Sequence, residues 1–214
     1  ELDPVGQFFA DARVPVPHYK VCSTFDSAPT VGSIGEAIRV LRPHVESAFV
    51  PIVGGQPNIG RFCVYSNLFA AAGTGGAVHR IDRHPTMSRH PVTPMGEADL
   101  RRHLAAQGLA DVSLVDLRML DTLDDTELDA AVDALVARGP DAVLFDVARA
   151  ADLERIGRLI WQRACRAPLV ALGASSVAQA LIAHWRTAGE IPSAAGDTLI
   201  PSATGPVFVL AGSQ

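Results

Sequence analysis

The chain has 214 residues, enough to bury a sizeable core as one large domain or a domain plus a fragment. Hydrophobic residues make up 48% and charged residues 19%, which excludes a disordered chain. A formal net charge of −5 argues against a general nucleic-acid or anionic-membrane binder.

In chain order, the opening "ELDPVGQFFADARVP" reads as the end of a helix leading into a turn. "HYKVCSTF" (18–25) suits a strand, being rich in Val, Tyr, Phe and Thr. "SIGEAIRVLRPHV" (33–45) suits a helix beginning, with Ile34, Ala37, Ile38 and Leu41 at three-to-four spacing. "SAFVPIV" and "GRFCVYSNLF" read as two further strands, followed by the glycine-rich loop "AAAGTGG" (70–76). "RIDRHPTMSRHPVTPM" (80–95) has no apolar stripe and reads as a loop. The pattern turns helical at 93–108, with Thr93 as N-cap, Pro94 at the first helical position and Gly108 as the stop.

From residue 111 the chain alternates: strand "VSLVDL", helix "DDTELDAAVDALVARG", strand "DAVLFDV", helix "ADLERIGRLIWQRAC", strand "PLVALG", helix "SSVAQALIAHWRTAG". Short apolar strands between amphipathic helices predict an α/β fold: three layers, a mostly parallel sheet with helices on both faces, and right-handed crossovers. Cys22, Cys63 and Cys165 are widely spaced and form no CxxC pair, so neither a disulfide framework nor a zinc site is expected, as suits a reducing cytoplasm. Cys63 and Cys165 read as core residues, and His44, His103 and His184 as surface or boundary positions on helices. No apolar run approaches the roughly 20 residues of a membrane span.

In open α/β sheets, ligands sit beyond the carboxyl ends of the strands, near helix N-termini. Three loops qualify. "CSTFDS" gathers Ser23, Thr24, Asp26 and Ser27, which suits holding a polyol or positioning a hydroxyl; an Asx or ST turn that ends the strand is the alternative. "GASSVAQAL" carries Ser175 and Ser176 into a helix whose free N–H groups suit a carboxylate or phosphate, with plain capping as the alternative. The 80–95 loop repeats Arg-His-Pro and holds Arg80, Arg83 and Arg89 against Asp82 alone, a local charge of +3 − 1 = +2. Arginine grips carboxylates and phosphates through paired hydrogen bonds, His84, Thr86, Ser88 and His90 add donors, and three prolines stiffen the segment. A preorganised anion-binding loop is the expectation, against a solvated surface loop. His79, Asp82, His84 and His90 also admit a metal-cluster reading, as in a metal-dependent hydrolase, although the prolines and spacing disfavour it.

In order along the chain, "YKVCSTFDS", "GSIG", "RIDRHPTMSRHPVTPM", "EADLRRHL" and "SSVAQAL" resemble the four-carbon acid sugar kinases, most closely the 3-oxo-tetronate 4-kinase type. The resemblance implies a cytoplasmic bacterial enzyme of carbohydrate metabolism. It also implies a sugar-acid-binding α/β domain followed by a nucleotide-binding domain, with phosphate passing from ATP, aided by Mg2+, to a terminal hydroxyl. Ser23, Thr24 and Asp26 would lie at the sugar-acid site, and Arg83, His84, Thr86, Ser88, Arg89 and His90 would line or close it. The partner implied is a small anionic substrate, with no nucleic acid or membrane, and a homodimer is compatible with the pattern. Two departures set expectations of their own. The family's acidic "DD-x-T-G" segment, whose aspartate is a candidate general base, has no counterpart here, and the catalytic base is unassigned. "VLAGSQ" ends where the nucleotide domain would begin, with Ser213 at its threshold. Residues 1–204 are therefore expected to form the sugar-acid domain, N-terminally incomplete, and 205–214 the first strand of a truncated nucleotide domain, so the chain alone is expected to be inactive. A non-catalytic sugar-acid-binding or regulatory module is the rival reading.

Overall fold

The computed structural model describes residues 2–73 and 75–191. In chain order, α1 (Asp3–Asp11) is followed by β1 (His18–Lys20), α2 (Ile34–Leu41), β2 (Pro51–Val53), β3 (Arg61–Val64), β4 (Asn67–Ala71) and β5 (Val78–Arg80). Then come α3 (Leu100–Ala105), β6 (Val112–Val115), α4 (Leu117–Thr122), α5 (Asp125–Ala137), β7 (Ala142–Phe145), α6 (Ala150–Ala164), β8 (Ala171–Gly173) and α7 (Ser176–Thr187).

Five strands form a wholly parallel sheet in the order β1-β8-β2-β7-β6. Alternate residues of each strand face opposite ways. Ile52, Leu144 and Leu172 join α2 and α3 in one apolar cluster, while Val53, Val143, Phe145 and Ala171 join α5, α6 and α7 in the other. Both faces are thus covered, which is why these strands read as continuous apolar runs. The expected three-layer α/β fold is the one observed.

Local signals set most of the element ends. Ser33 accepts from the Glu36 N–H to start α2, and Asp124 and Glu127 form a reciprocal capping box for α5. Charge complementarity locks α5 to α6: Arg155, Arg158 and Arg163 pair with Asp125, Asp129 and Asp133. Part of the acidic run at the start of α5 is therefore an inter-helix ladder as well as a response to the helix dipole.

Four features differ from the sequence reading. "GRFCVYSNLF" is not one strand but the hairpin β3–β4, and with β5 it forms a separate antiparallel sheet inserted between β2 and β6. Its turn holds Tyr65 and Ser66 at φ of 47° and 66°, with neither Asn nor Gly to announce it. The third helix begins at Leu100 with Asp99 as its N-cap, not at Thr93, because the Thr93 hydroxyl is engaged with His90 and Asp26. Cys63 is buried, but Cys165 is exposed because it lies at the C-cap of α6. Finally, a short helix, α4, fills the connection after β6.

Candidate functional site

The loops after β1 and β8 leave the sheet side by side, because Lys20 pairs with Gly173 at the carboxyl edge. The Val21 N–H donates to the Gly173 carbonyl at 3.0 Å, so the first loop is tied to the second at its root.

The β1 loop then turns sharply. Phe25 is 1% exposed and sits at φ 54°, an uncommon backbone region for an aromatic residue, costing of the order of 1–3 kcal/mol. Such a conformation persists only where its surroundings over-determine it. Here the Phe25 ring is in the core and its carbonyl accepts from the Ser27 hydroxyl at 2.9 Å. Between these two residues Asp26 turns its carboxylate to two threonines. The Thr24 hydroxyl donates to Asp26 Oδ1 at 2.5 Å, and the Thr93 hydroxyl lies 3.5 Å from Oδ2. The Cys22 thiol stands 3.0 Å from Thr24 Oγ1.

The Arg-His-Pro repeat is a repeated structure. His84 Nδ1 accepts from the N–H groups of Thr86 and Met87 at 3.2 and 3.1 Å. His90 Nδ1 accepts from those of Val92 and Thr93 at 3.4 and 3.0 Å. Each histidine caps the backbone two and three residues on, across a proline that has no N–H to offer. The turns also place the residue before each histidine outward: Arg83 and Arg89 are both exposed. Arg83 meets only Asp82, at 3.9 Å, and Arg89 has no acidic partner among the described residues. Arg80, by contrast, grips Asp82 through two bonds of 2.5–2.7 Å, which hold the Asp82 carboxyl below its usual range. The loop therefore presents two available guanidiniums, and Thr93 joins the loop to Asp26.

The remaining expected residues have varied places. Ser88 is committed to the His84 carbonyl at 2.7 Å, and Thr86 is exposed. Ser23 is half-buried on the β1 loop. Ser175 makes no side-chain capping bond, and the Ser176 hydroxyl is buried without a partner among the described residues. Ser213 and the 205–214 segment lie outside the described residues. Three of the four residues of the metal reading are otherwise engaged: the His84 and His90 Nδ1 atoms hold backbone and Asp82 holds Arg80. Among the described residues no group of three or more His, Cys, Asp and Glu side chains is placed to hold a metal ion.

Two groups escaped the sequence reading. Asp146, at the end of β7, is fully buried and accepts from the N–H groups of Tyr65 at 2.6 Å, Ser66 at 2.9 Å and Leu117 at 3.3 Å. Burial pushes its carboxyl up, against these bonds. It pins the hairpin turn to the sheet. His103 and Gln107 lie four residues apart on and just after α3, facing the β1 loop. Gln107 donates to the Ser27 hydroxyl at 2.8 Å and accepts from the Ile34 N–H at 2.8 Å, while His103 Nε2 lies 2.9 Å from Ser27 Oγ. Gly35 permits this approach, since a Cβ there would lie 2.0 Å from the Gln107 carbonyl oxygen.

Known proteins are similar to this chain in sequence and in fold. The chain is 44% identical over 192 residues to a 3-oxo-isoapionate kinase of Paraburkholderia graminis, covering 90% of this chain and 40% of that protein. It is 32% identical to 3-oxo-tetronate kinases of Methylobacterium radiotolerans and Cupriavidus necator, over 83% and 91% of this chain and 39% and 42% of theirs. It thus spans about two fifths of the length of these relatives. A Haemophilus influenzae crystal structure, 25% identical, superposes with a TM-score of 0.70 over 86% of this chain and 41% of its own. A Bordetella bronchiseptica structure, solved with bound citrate as a domain-swapped dimer, is 19% identical with a TM-score of 0.64 over 87% of this chain and 41% of its own, and shares the fold. No helix among the described residues is long and apolar enough to cross a membrane. The family model for a sugar-binding N-terminal domain matches residues 1–181, and the chain belongs to that family.

Proposed function

We propose that this chain is the sugar-acid-binding part of an ATP-dependent kinase that phosphorylates the terminal hydroxyl of a small sugar acid such as a 3-oxo-tetronate. The observation that carries the reading is the pair of histidine-capped turns presenting Arg83 and Arg89 on the loop that touches Asp26. In it, the substrate carboxylate is bound by the two guanidiniums, each suited to a planar anion. Asp26 and Thr24 accept hydrogen bonds from the polyol hydroxyls, and Ser23, Ser175 and Ser176 border it. The relatives' names agree in chemistry, since both 3-oxo-tetronate and 3-oxo-isoapionate are 3-oxo acids.

Phosphoryl transfer depends mainly on positioning and charge neutralisation around the transferred group. In this reading ATP and Mg2+ are held outside the described residues of this chain. Their site is proposed to lie in the three fifths of the relatives that this chain does not span. The contribution of these residues is to hold the acceptor acid by its carboxylate so that its far hydroxyl points away from the arginines.

Isothermal titration with L-threonate and D-erythronate tests the binding role. Arg83→Ala and Arg89→Ala should each weaken binding by about tenfold or more, the loss of a charged hydrogen-bond partner. Arg80→Ala should change it less than threefold, because Arg80 is already committed to Asp82. Equal effects of all three would refute the assignment.

A further inference from the structure

We infer that His103 and Gln107 are positioning residues for Asp26: they clamp the residues on either side of it and so fix where its carboxylate meets the sugar acid. The inference rests on the function proposed above and names residues outside the site read from the sequence.

The clamp has a defined polarity. The Ile34 N–H is one of the donors a helix start leaves without an intrahelical partner, and Gln107 Oε1 accepts it at 2.8 Å. That contact sets which way round the Gln107 amide lies. Its NH2 group must then face Ser27 Oγ at 2.8 Å and His103 Nε2 at 3.0 Å. His103 Nε2 also lies 3.1 Å from the Phe25 carbonyl, which can only accept, so that nitrogen carries the proton and grips Phe25 directly, while the second Gln107 N–H has the His103 carbonyl at 3.4 Å. Ser27, receiving from Gln107, is left to donate to the Phe25 carbonyl at 2.9 Å. The set is buried, with Ser27 and Gln107 only 3% and 8% exposed.

Asp26 lies between the two clamped residues. Phe25 holds φ at 54° beside it, and relaxation of that residue to negative φ would swing the following backbone and carry the carboxylate away from Thr24 and Thr93. The clamp therefore acts on the substrate through Asp26 rather than by touching it. His103 lies on α3 and Gln107 in the turn just after it, so one short stretch of chain supplies both grips.

Gln107→Glu keeps the acceptor for Ile34 and removes both donors; His103→Gln is the companion variant should the first fail to fold. In the ligand-free protein, NMR should show the Phe25 amide and Asp26 carboxyl resonances moved by more than their linewidths. Unmoved resonances overturn the inference whatever the chain binds. With L-threonate or D-erythronate, Gln107→Glu should weaken binding about tenfold in the wild-type background and less than twofold in an Asp26→Asn background. A second full tenfold loss in that background would mean that the clamp does not act through Asp26, and overturns the inference. Absence of binding to the wild type would sink the sugar-acid function, with the resonance shifts still deciding the positioning.

Discussion

Asp146 offers the sharpest test of how the fold supports the site. A buried carboxyl with a raised pKa at the carboxyl edge of a parallel sheet has the profile of a catalytic acid. Its three N–H partners argue instead that it is a pin holding the β3–β4 turn. Asp146→Ala leaves the buried Ser66 N–H without an acceptor and deprives the more accessible Tyr65 N–H and the helix-initial Leu117 N–H. An orphaned buried donor costs about 1–3 kcal/mol, and bonds to a charged acceptor are at the strong end. Relief from burying the carboxylate offsets some of this, so the net loss should be about 2–4 kcal/mol. For a domain of this size that corresponds to a fall in Tm of roughly 5–15 °C. Asp146→Asn keeps one acceptor oxygen and should fall between. Urea and thermal unfolding followed by circular dichroism give the numbers. A variant as stable as the wild type that nevertheless lost ligand binding would refute the pin and restore Asp146 as a functional acid.

Two further outcomes follow from the electrostatics. Arg163, 9% exposed, pairs with Asp129 and Asp133 and lies 5.5 Å from the Phe49 ring centroid. Arg163→Ala should destabilise by about 2–3 kcal/mol in urea unfolding, whereas Arg39→Ala, at an exposed pair with Glu36, should leave the urea midpoint unchanged. Burial pushes the His103 and His18 rings below their ordinary value of 6.5, against the bond to the Phe25 carbonyl and the pull of Glu97 and Asp26 on His103. The unfolded chain then takes up these protons first, so stability is full above about pH 6.5 and falls as the pH drops through the folded values. Urea midpoints between pH 8 and roughly pH 5.5 should decline, and His103→Gln should flatten the slope. At still lower pH Asp146 works in the opposite sense, its raised carboxyl favouring the folded state as it gains a proton. A flat profile for the wild type would contradict the effect of burial on these two rings.

Legibility in the sequence followed how local each cause was. The alternation from residue 111 was readable because its helices carry their own caps and stops, such as Asp124 and Gly139, and its strands are buried on both faces. The β3–β4 hairpin was not, because its turn is imposed by Asp146, eighty residues away, on Tyr65 and Ser66, which do not favour positive φ. Thr93 had the appearance of a helix cap, but its hydroxyl meets His90 and Asp26, a contact made only when the loops fold together. The Arg-His-Pro repeat and its local positive charge were visible in the sequence. That the histidines cap backbone needed coordinates, as did the grip of His103 and Gln107 on the β1 loop.

The central claim is that this edge of the sheet holds a small sugar acid by its carboxylate. A crystal structure of the chain with L-threonate is the direct measurement. The account predicts the carboxylate within hydrogen-bond distance of the Arg83 or Arg89 guanidinium and a hydroxyl on Asp26. A carboxylate bound elsewhere, with both arginines still in solvent, would contradict it.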